Sequence, residues 1–240
     1  MKTSSQKVFF VTGTDTDVGK TTVMSLLCRD ARIAGLSVGV MKPFASGSCR
    51  DAAKLKRASG SAQVISSITP FYFETPAAPW AAAKKEKRRI DLDKLDRAFR
   101  NLRGQFDVLL VEGIGGLLVP ITGEFTVADL IRRWKVPAIL VSRWGLGTLN
   151  HTLLCLEALE RRNIPVAGIV LNQTRPRRMG FVERTNKAFF GLRNTPPVLA
   201  TVRFSPEYSR RLAWEKGSRE RLWGIPQAGS IKSSLVKIEK

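Results

Sequence analysis

Residues 8–21 read Val8-Phe9-Phe10-Val11-Thr12-Gly13-Thr14-Asp15-Thr16-Asp17-Val18-Gly19-Lys20-Thr21. The first five form a short apolar run of the kind a parallel strand buried on both faces requires. A glycine loop follows, and then Lys20 to Ala34 reads as a helix. Val23, Leu26, Leu27, Ala31 and Ala34 fall on one face of it, and Gly35 is placed to end it. Strand, glycine loop and helix in that order make a phosphate cradle: the loop's N–H groups and the helix N-terminus point at an anion. Lys20 then reaches the β- and γ-phosphates of ATP, and Thr21 offers a hydroxyl to Mg²⁺. The spacing is a variant of G-x-x-x-x-G-K-[ST]. Thr14 stands where the first glycine is usual, and Gly13 lies one residue earlier.

Working outward, strand-like runs recur at Ser37–Lys42, Asp107–Glu112, Pro137–Ser142, Val166–Leu171 and Val198–Val202. Helical patterns separate them at 91–103, 126–134, 149–162 and 180–190, and Asp51 is placed to cap another helix. Ala45–Arg50 reads as a loop, and 70–80 as an extended segment punctuated by prolines. Alternating strands and helices predict a single α/β domain of the P-loop NTPase type over 1–217, with a mainly parallel sheet covered on both faces. Residues 218–240 read as a basic tail, packed late or mobile.

Forty Lys and Arg against twenty acids give the 240-residue chain a net charge of +20. Such a surface favours nonspecific contact with polyanions, yet its densest clusters, 84–89 and 175–178, read as solvated faces rather than a recognition element. No run approaches the roughly 18–20 apolar residues of a membrane span. Met1–Lys7 carries no apolar leader, so a cytoplasmic location is the expectation. Three scattered cysteines support neither a disulfide framework nor a zinc site. Cys28 and Cys155 are expected in the core, and Cys49 in a polar loop.

One acid and a second lysine stand at strand ends. Glu112 closes the Asp107–Glu112 run and precedes Gly113-Ile114-Gly115-Gly116. In an open parallel sheet ligands bind beyond the strands' C-terminal ends, where such an acid holds Mg²⁺ directly or through water. Lys42, kept extended by Pro43, points to the same crevice. Asp15 and Asp17 are awkward beside a triphosphate. Either they are offset by a cation, such as a substrate carrying amino groups, or they cap the turn.

Together these segments resemble the dethiobiotin synthetase family. The resemblance covers residues from about 8 to 172 and rests on Val11–Thr21, Met41–Ser48, Phe73–Pro79, Val111–Pro120, Gly145–His151 and Gly168–Asn172. It implies an ATP- and Mg²⁺-dependent ligase. An amine of 7,8-diaminononanoate takes up CO₂, the carbamate attacks the γ-phosphate, and the second amine closes the ureido ring, giving dethiobiotin, ADP and phosphate. The resemblance assigns Gly13, Thr14, Asp15, Val18, Gly19, Lys20 and Thr21 to the nucleotide's phosphates, and Asn172 to its adenine. Lys20, Lys42, Thr16 and Asp17 surround the reaction centre. Thr21, Asp51 and Glu112 organise Mg²⁺, and Ser46, Gly115 and Asn150 hold the diamine, Asn150 across a homodimer interface. Trp80 stands where the family often has a histidine, and residues 197–206 lack its Gly-x-Ile-Pro pattern.

Two rival readings remain at this point. One is another P-loop ATPase or amide-forming synthase of the same superfamily. Its partitioning branch carries a lysine early in the loop, and residues 14–18 have none. The other is a degenerate basic protein that binds ATP or nucleic acid without turnover.

Overall fold

A computed structural model describes residues 6–192, 195–206 and 210–224. The opening segment forms β1 (Lys7–Gly13) and α1 (Lys20–Ile33) with the glycine loop between them. The chain continues through β2 (Val38–Met41), β3 (Phe44–Ser46), α2 (Arg50–Ser59), α3 (Ile65–Ile68), β4 (Phe71–Phe73), α4 (Pro79–Lys85) and α5 (Leu92–Leu102). It proceeds by β5 (Val108–Glu112), α6 (Val127–Trp134), β6 (Ala138–Arg143), α7 (Thr148–Glu160), β7 (Val166–Asn172) and α8 (Phe181–Leu192). It ends with β8 (Val198–Val202), β9 (Ala213–Trp214) and α9 (Ser218–Trp223).

Seven of these strands form one sheet in the order β2-β5-β1-β6-β7-β8-β9, and every pairing except β8–β9 is parallel. β1 sits inside the sheet between β5 and β6, so the chain leaves it at the point where connections diverge to either side. Register then decides what meets what: Val11 pairs with Glu112, and Gly13 with Val141. The acid of β5 is thereby delivered beside the mouth of the phosphate loop.

Successive residues of β1 face opposite sides. Val8 and Phe10 join Leu109, Val111, Phe99 and Trp134 in one core, while Phe9 and Val11 join Val23, Leu27, Leu110 and Val141 in the other. Helices cover both faces, as the sequence predicts. Asp91 caps α5 by accepting from the N–H groups of Asp93 and Lys94. Asp96 accepts from Trp134 Nε1 at 2.8 Å and from Arg133 Nε at 2.8 Å, tying α5 to α6.

The structure departs from the sequence reading in five places. Ala45 and Ser46 are not loop but part of β3, which pairs with β4 in a small parallel sheet, and the stacked rings of Phe44 and Phe71, 5.5 Å apart, explain why. The extended segment stops at Ala78, because Pro79 occupies the first turn of α4, where its missing N–H costs nothing. Asp51 does not cap α2. Cys49 holds the N-cap position, and Asp51 lies in the first turn with its carboxylate turned to Lys42. Cys28 is buried, but Cys155 is only half-buried at the edge of the core. Finally, residues 218–223, placed in the tail, form α9.

That last difference has a clear cause. Trp223 is buried edge-on against Phe9 and Trp214. Asp30, on α1, accepts from Trp223 Nε1, Trp214 Nε1 and Arg219 Nε at 2.8, 3.2 and 2.9 Å. The aromatic residues were scattered too widely to show a helical period, but a single acid on α1 collects them. Residues 225–240 of the expected tail lie outside the described residues. The two basic clusters expected on the surface are largely exposed, although Arg88 packs over the Phe73 ring and donates to Tyr72 O.

Two predictions follow from this packing. Trp223→Ala should lower unfolding free energy by about 3–5 kcal/mol, read from urea titration; a loss under ~1 kcal/mol would make α9 peripheral. The second concerns acid. Partial burial pushes the Asp96 carboxyl up, but hydrogen bonds from Arg133 and Trp134 outweigh it and hold the group below its usual value. Its contribution is therefore present above about pH 3.9 and lost as pH falls through the lower folded value. Asp96→Asn should destabilise the protein at pH 7 and flatten the fall in melting temperature between pH 5 and pH 2.

Candidate active site at the strand C-termini

A cavity of about 410 Å³ opens where the loops after β1, β2, β5 and β7 converge. Its floor is the phosphate loop. Gly19 adopts φ 88°, and it caps α1 with no side chain of its own over the first turn. The helix's leading N–H groups are thus left for an anion. A Cβ on Gly19 would collide with Asn172 Nδ2, so this position excludes any side chain unless Asn172 moves.

Asn172 ends β7 and is almost fully buried. Its amide donates to Val18 O at 2.7 Å, across 154 positions of sequence, which clamps β7 to the phosphate loop. Its Oδ1 is buried with no partner among the described residues.

Lys20 bends back over the loop, donating to Asp15 O at 2.9 Å. Burial pulls its ammonium down to about 8, opposing Glu112, Asp15 and Asp17.

Opposite stands a buried polar cluster. Glu112 Oε1 accepts from Thr21 Oγ1 at 2.8 Å and from Lys42 Nζ at 2.5 Å. Lys42 also pairs with Asp51 Oδ2 at 3.2 Å. Burial works to lower the Lys42 pKa, but Glu112 and Asp51 together win and raise it, so its charge persists. The second oxygen of Glu112, also buried, has no partner among the described residues.

This donor set suits Mg²⁺. A hydroxyl and a carboxylate lie within 2.8 Å of each other, the carboxylate has an unpartnered oxygen, and an exposed second acid stands near. Among the described residues no group of three or more His, Cys, Asp or Glu side chains could cage a metal unaided.

The two aspartates of the loop divide. Asp15 turns onto its own loop, accepting from Thr16 N at 2.7 Å, with Arg143 Nη2 3.9 Å away. Asp17, at φ 58°, lines the cavity with Thr16. The cap reading thus describes Asp15, and Asp17 is the loop aspartate that lines the cavity. Ser46 reaches the wall from β3, and Gly115, at φ 59°, from the loop after β5. Asn150 does not reach this cavity: it is exposed in the first turn of α7, as is His151.

Sequence reasoning missed Lys54, Thr174 and Arg210, all of which line the cavity. Lys54 was findable, lying one helical turn beyond Asp51. Thr174 and Arg210 belong to irregular segments whose approach only the fold determines.

A family model described as an AAA domain matches residues 7–211. The chain is 45% identical over 206 residues to the ATP-dependent dethiobiotin synthetase BioD of Anaeromyxobacter dehalogenans (strain 2CP-C), covering 84% of this chain and 92% of that protein. It is 39% identical over 193 residues to the enzyme of that name from Thermodesulfovibrio yellowstonii, covering 74% and 80%. Among solved structures, the signal recognition particle receptor FtsY from Elizabethkingia anophelis in complex with GDP aligns with a TM-score of 0.54 at 16% identity, covering 94% of this chain and 66% of that one. That likeness is one of fold alone. Matched over most of its length by relatives of one name, the chain belongs to the ATP-dependent dethiobiotin synthetase family.

Proposed function

We propose that this protein carboxylates 7,8-diaminononanoate with CO₂ and closes the ureido ring at the expense of ATP, giving dethiobiotin, ADP and phosphate. The observation that carries this reading is the cluster of Thr21, Glu112 and Lys42 facing the phosphate loop, since the reaction needs an anionic nucleophile brought to a γ-phosphate. No protein nucleophile is required. Catalysis consists of alignment, which can supply roughly 7–11 kcal/mol, and of charge neutralisation.

In this reading Gly13, Thr14, Asp15, Val18, Gly19, Lys20 and Thr21 surround the phosphates. Lys20 leaves Asp15 O for the β,γ-oxygens, and Lys42 holds the carbamate oxygen in line with the γ-phosphorus. Thr16 and Asp17 border the reacting atoms, Asp17 accepting from the diamine's second amine. Ser46 and Gly115 line the side on which the diamine lies. Thr21, Glu112 and Asp51 hold Mg²⁺, which when bound neutralises charge developing on the phosphates. The free Oδ1 of Asn172 is an acceptor suited to the adenine amino group.

Asn150 fits the assignment only if a second subunit brings it to the site. Exposed Leu146, just before α7, and exposed Leu154, one turn beyond Asn150, flank it, which supports a homodimer packed through this face. Among the described residues no helix is long and apolar enough to cross a membrane, in keeping with a cytoplasmic enzyme. The exposed basic clusters support nonspecific polyanion binding alongside catalysis.

Phosphate release should require ATP, Mg²⁺, bicarbonate and 7,8-diaminononanoate together; release without the diamine, or none with all four, would overturn the reading. Lys42→Ala should cut turnover by about 100-fold or more, the scale of losing an electrostatic stabiliser, while ATP still binds. Near-normal turnover would remove Lys42 from the mechanism. Gly19→Ala should weaken ATP binding by about tenfold or more, since it adds steric conflict to a left-handed backbone costing about 1–2 kcal/mol. Because the conflict is with the Asn172 amide, the loss in Gly19→Ala/Asn172→Ala should be less than the sum of the single losses. Additive losses by calorimetry would place the cause elsewhere.

A further inference from the structure

The loop cavity does not end at the loop. Thr22, Lys54 and Arg210 line it and also line a second space, of about 260 Å³, which runs along the groove between α1 and α2. Thr22, Ser25, Leu26 and Arg29 recur along one face of α1, and Lys54, Arg57 and Ala58 along the facing side of α2. Arg210 closes the groove from the C-terminal segment. Its backbone oxygen accepts from Arg29 Nη2 at 2.9 Å, its own Nε donates to Ser205 O, and its guanidinium packs over Phe204.

Three arginines, Arg29, Arg57 and Arg210, therefore share this groove beside Lys54, and among the described residues no acid lines it. Among the described residues Arg29, Arg57 and Arg210 make no salt bridge. Elsewhere on α1 the pattern is the opposite: Asp30, the next residue, pairs with Arg219. Arginines gathered in a concave space focus a positive potential. The planar guanidinium forks match phosphate oxygens in particular.

We propose that the α1–α2 groove is a second oxyanion site, which takes a phosphate-class anion beside the nucleotide bound at the loop. Its continuity with the loop cavity admits two sources of that chemistry. One is an extra phosphate on the nucleotide's own ribose. The other is free pyrophosphate or phosphate bound together with an ordinary nucleotide. The inference rests on the nucleotide occupying the loop, so ADP affinity is measured separately and the two readings fail separately.

The test is calorimetry at fixed ionic strength on the full chain and on Arg29→Ala/Arg57→Ala, two residues that line the groove but not the loop cavity. Pyrophosphate is titrated into protein saturated with ADP and Mg²⁺, and adenosine 2′-phosphate-5′-diphosphate is compared with ADP on free protein. At least one arm should show binding that ADP does not displace, or affinity above that of ADP. The double variant should lose about tenfold of that gain, the scale of charge-assisted contacts, with ADP affinity within twofold. Pyrophosphate that only competes with ADP, with no gain from the ribose phosphate, would overturn the proposal. So would gains that survive the double substitution, because these would reflect the chain's general positive charge. Equal melting temperatures for the two proteins separate loss of the site from loss of the fold.

Discussion

Everything at the C-terminal edge of the sheet is organised around one carboxylate. Glu112 is 1% exposed, and a buried carboxylate with no compensation is expensive. Its compensation comes from two distant segments, the Thr21 hydroxyl at the head of α1 and the Lys42 ammonium just beyond β2. The partners are not interchangeable with apolar groups: removing either would leave a buried charge short of a donor. An arrangement so costly to bury is a poor device for stability alone. Its value is positional, because it holds a lysine, a hydroxyl and an acid in fixed relation to the phosphate loop.

The sheet makes this possible through order and register. Had β1 lain at an edge, the loop would have had one neighbouring strand to draw upon. Inside the sheet it has β5 on one side, which delivers Glu112, and β6 on the other, whose Val141 O accepts from Thr14 N and fixes the loop's first turn. β7, one strand further, contributes Asn172 and so closes the loop from behind. The loop's conformation is thus set by three parallel neighbours as much as by its own glycines.

This explains what could be read in the sequence. The strand–loop–helix unit, the other main strands and Glu112 were legible because each depends on local pattern: apolar runs, a glycine loop and an acid at a strand end. β3 and β4 were not, since each is three residues long and its stability lies in a ring stack with the other. α9 escaped for a similar reason, its anchors being aromatic contacts and one acid nearly two hundred positions away. Propensity places Asp51 at a helix cap, but the nearby ammonium of Lys42 holds its carboxylate instead. The division between Asp15 and Asp17 was equally beyond reach, because both carry the same charge and differ only in which way the loop turns them.

The charge of the whole chain says little about the charge of this cavity. A net +20 suggests a strongly positive site, yet among the described residues four cations, Lys20, Lys42, Lys54 and Arg210, and three acids, Asp17, Asp51 and Glu112, line it. The lining is therefore nearly neutral. Two of its cations are moreover already engaged, Lys42 by carboxylates and Lys20 by a backbone oxygen. A triphosphate accompanied by a carbamate would bring far more negative charge than the lining can offset. This imbalance favours the proposed Mg²⁺, since a dication beside Glu112 and Thr21 would supply the missing charge where the phosphates arrive. In the proposed reading Asp17, which shares this lining, also has a counterpart, since it would accept from the diamine's second amine, a positive group beside the phosphates.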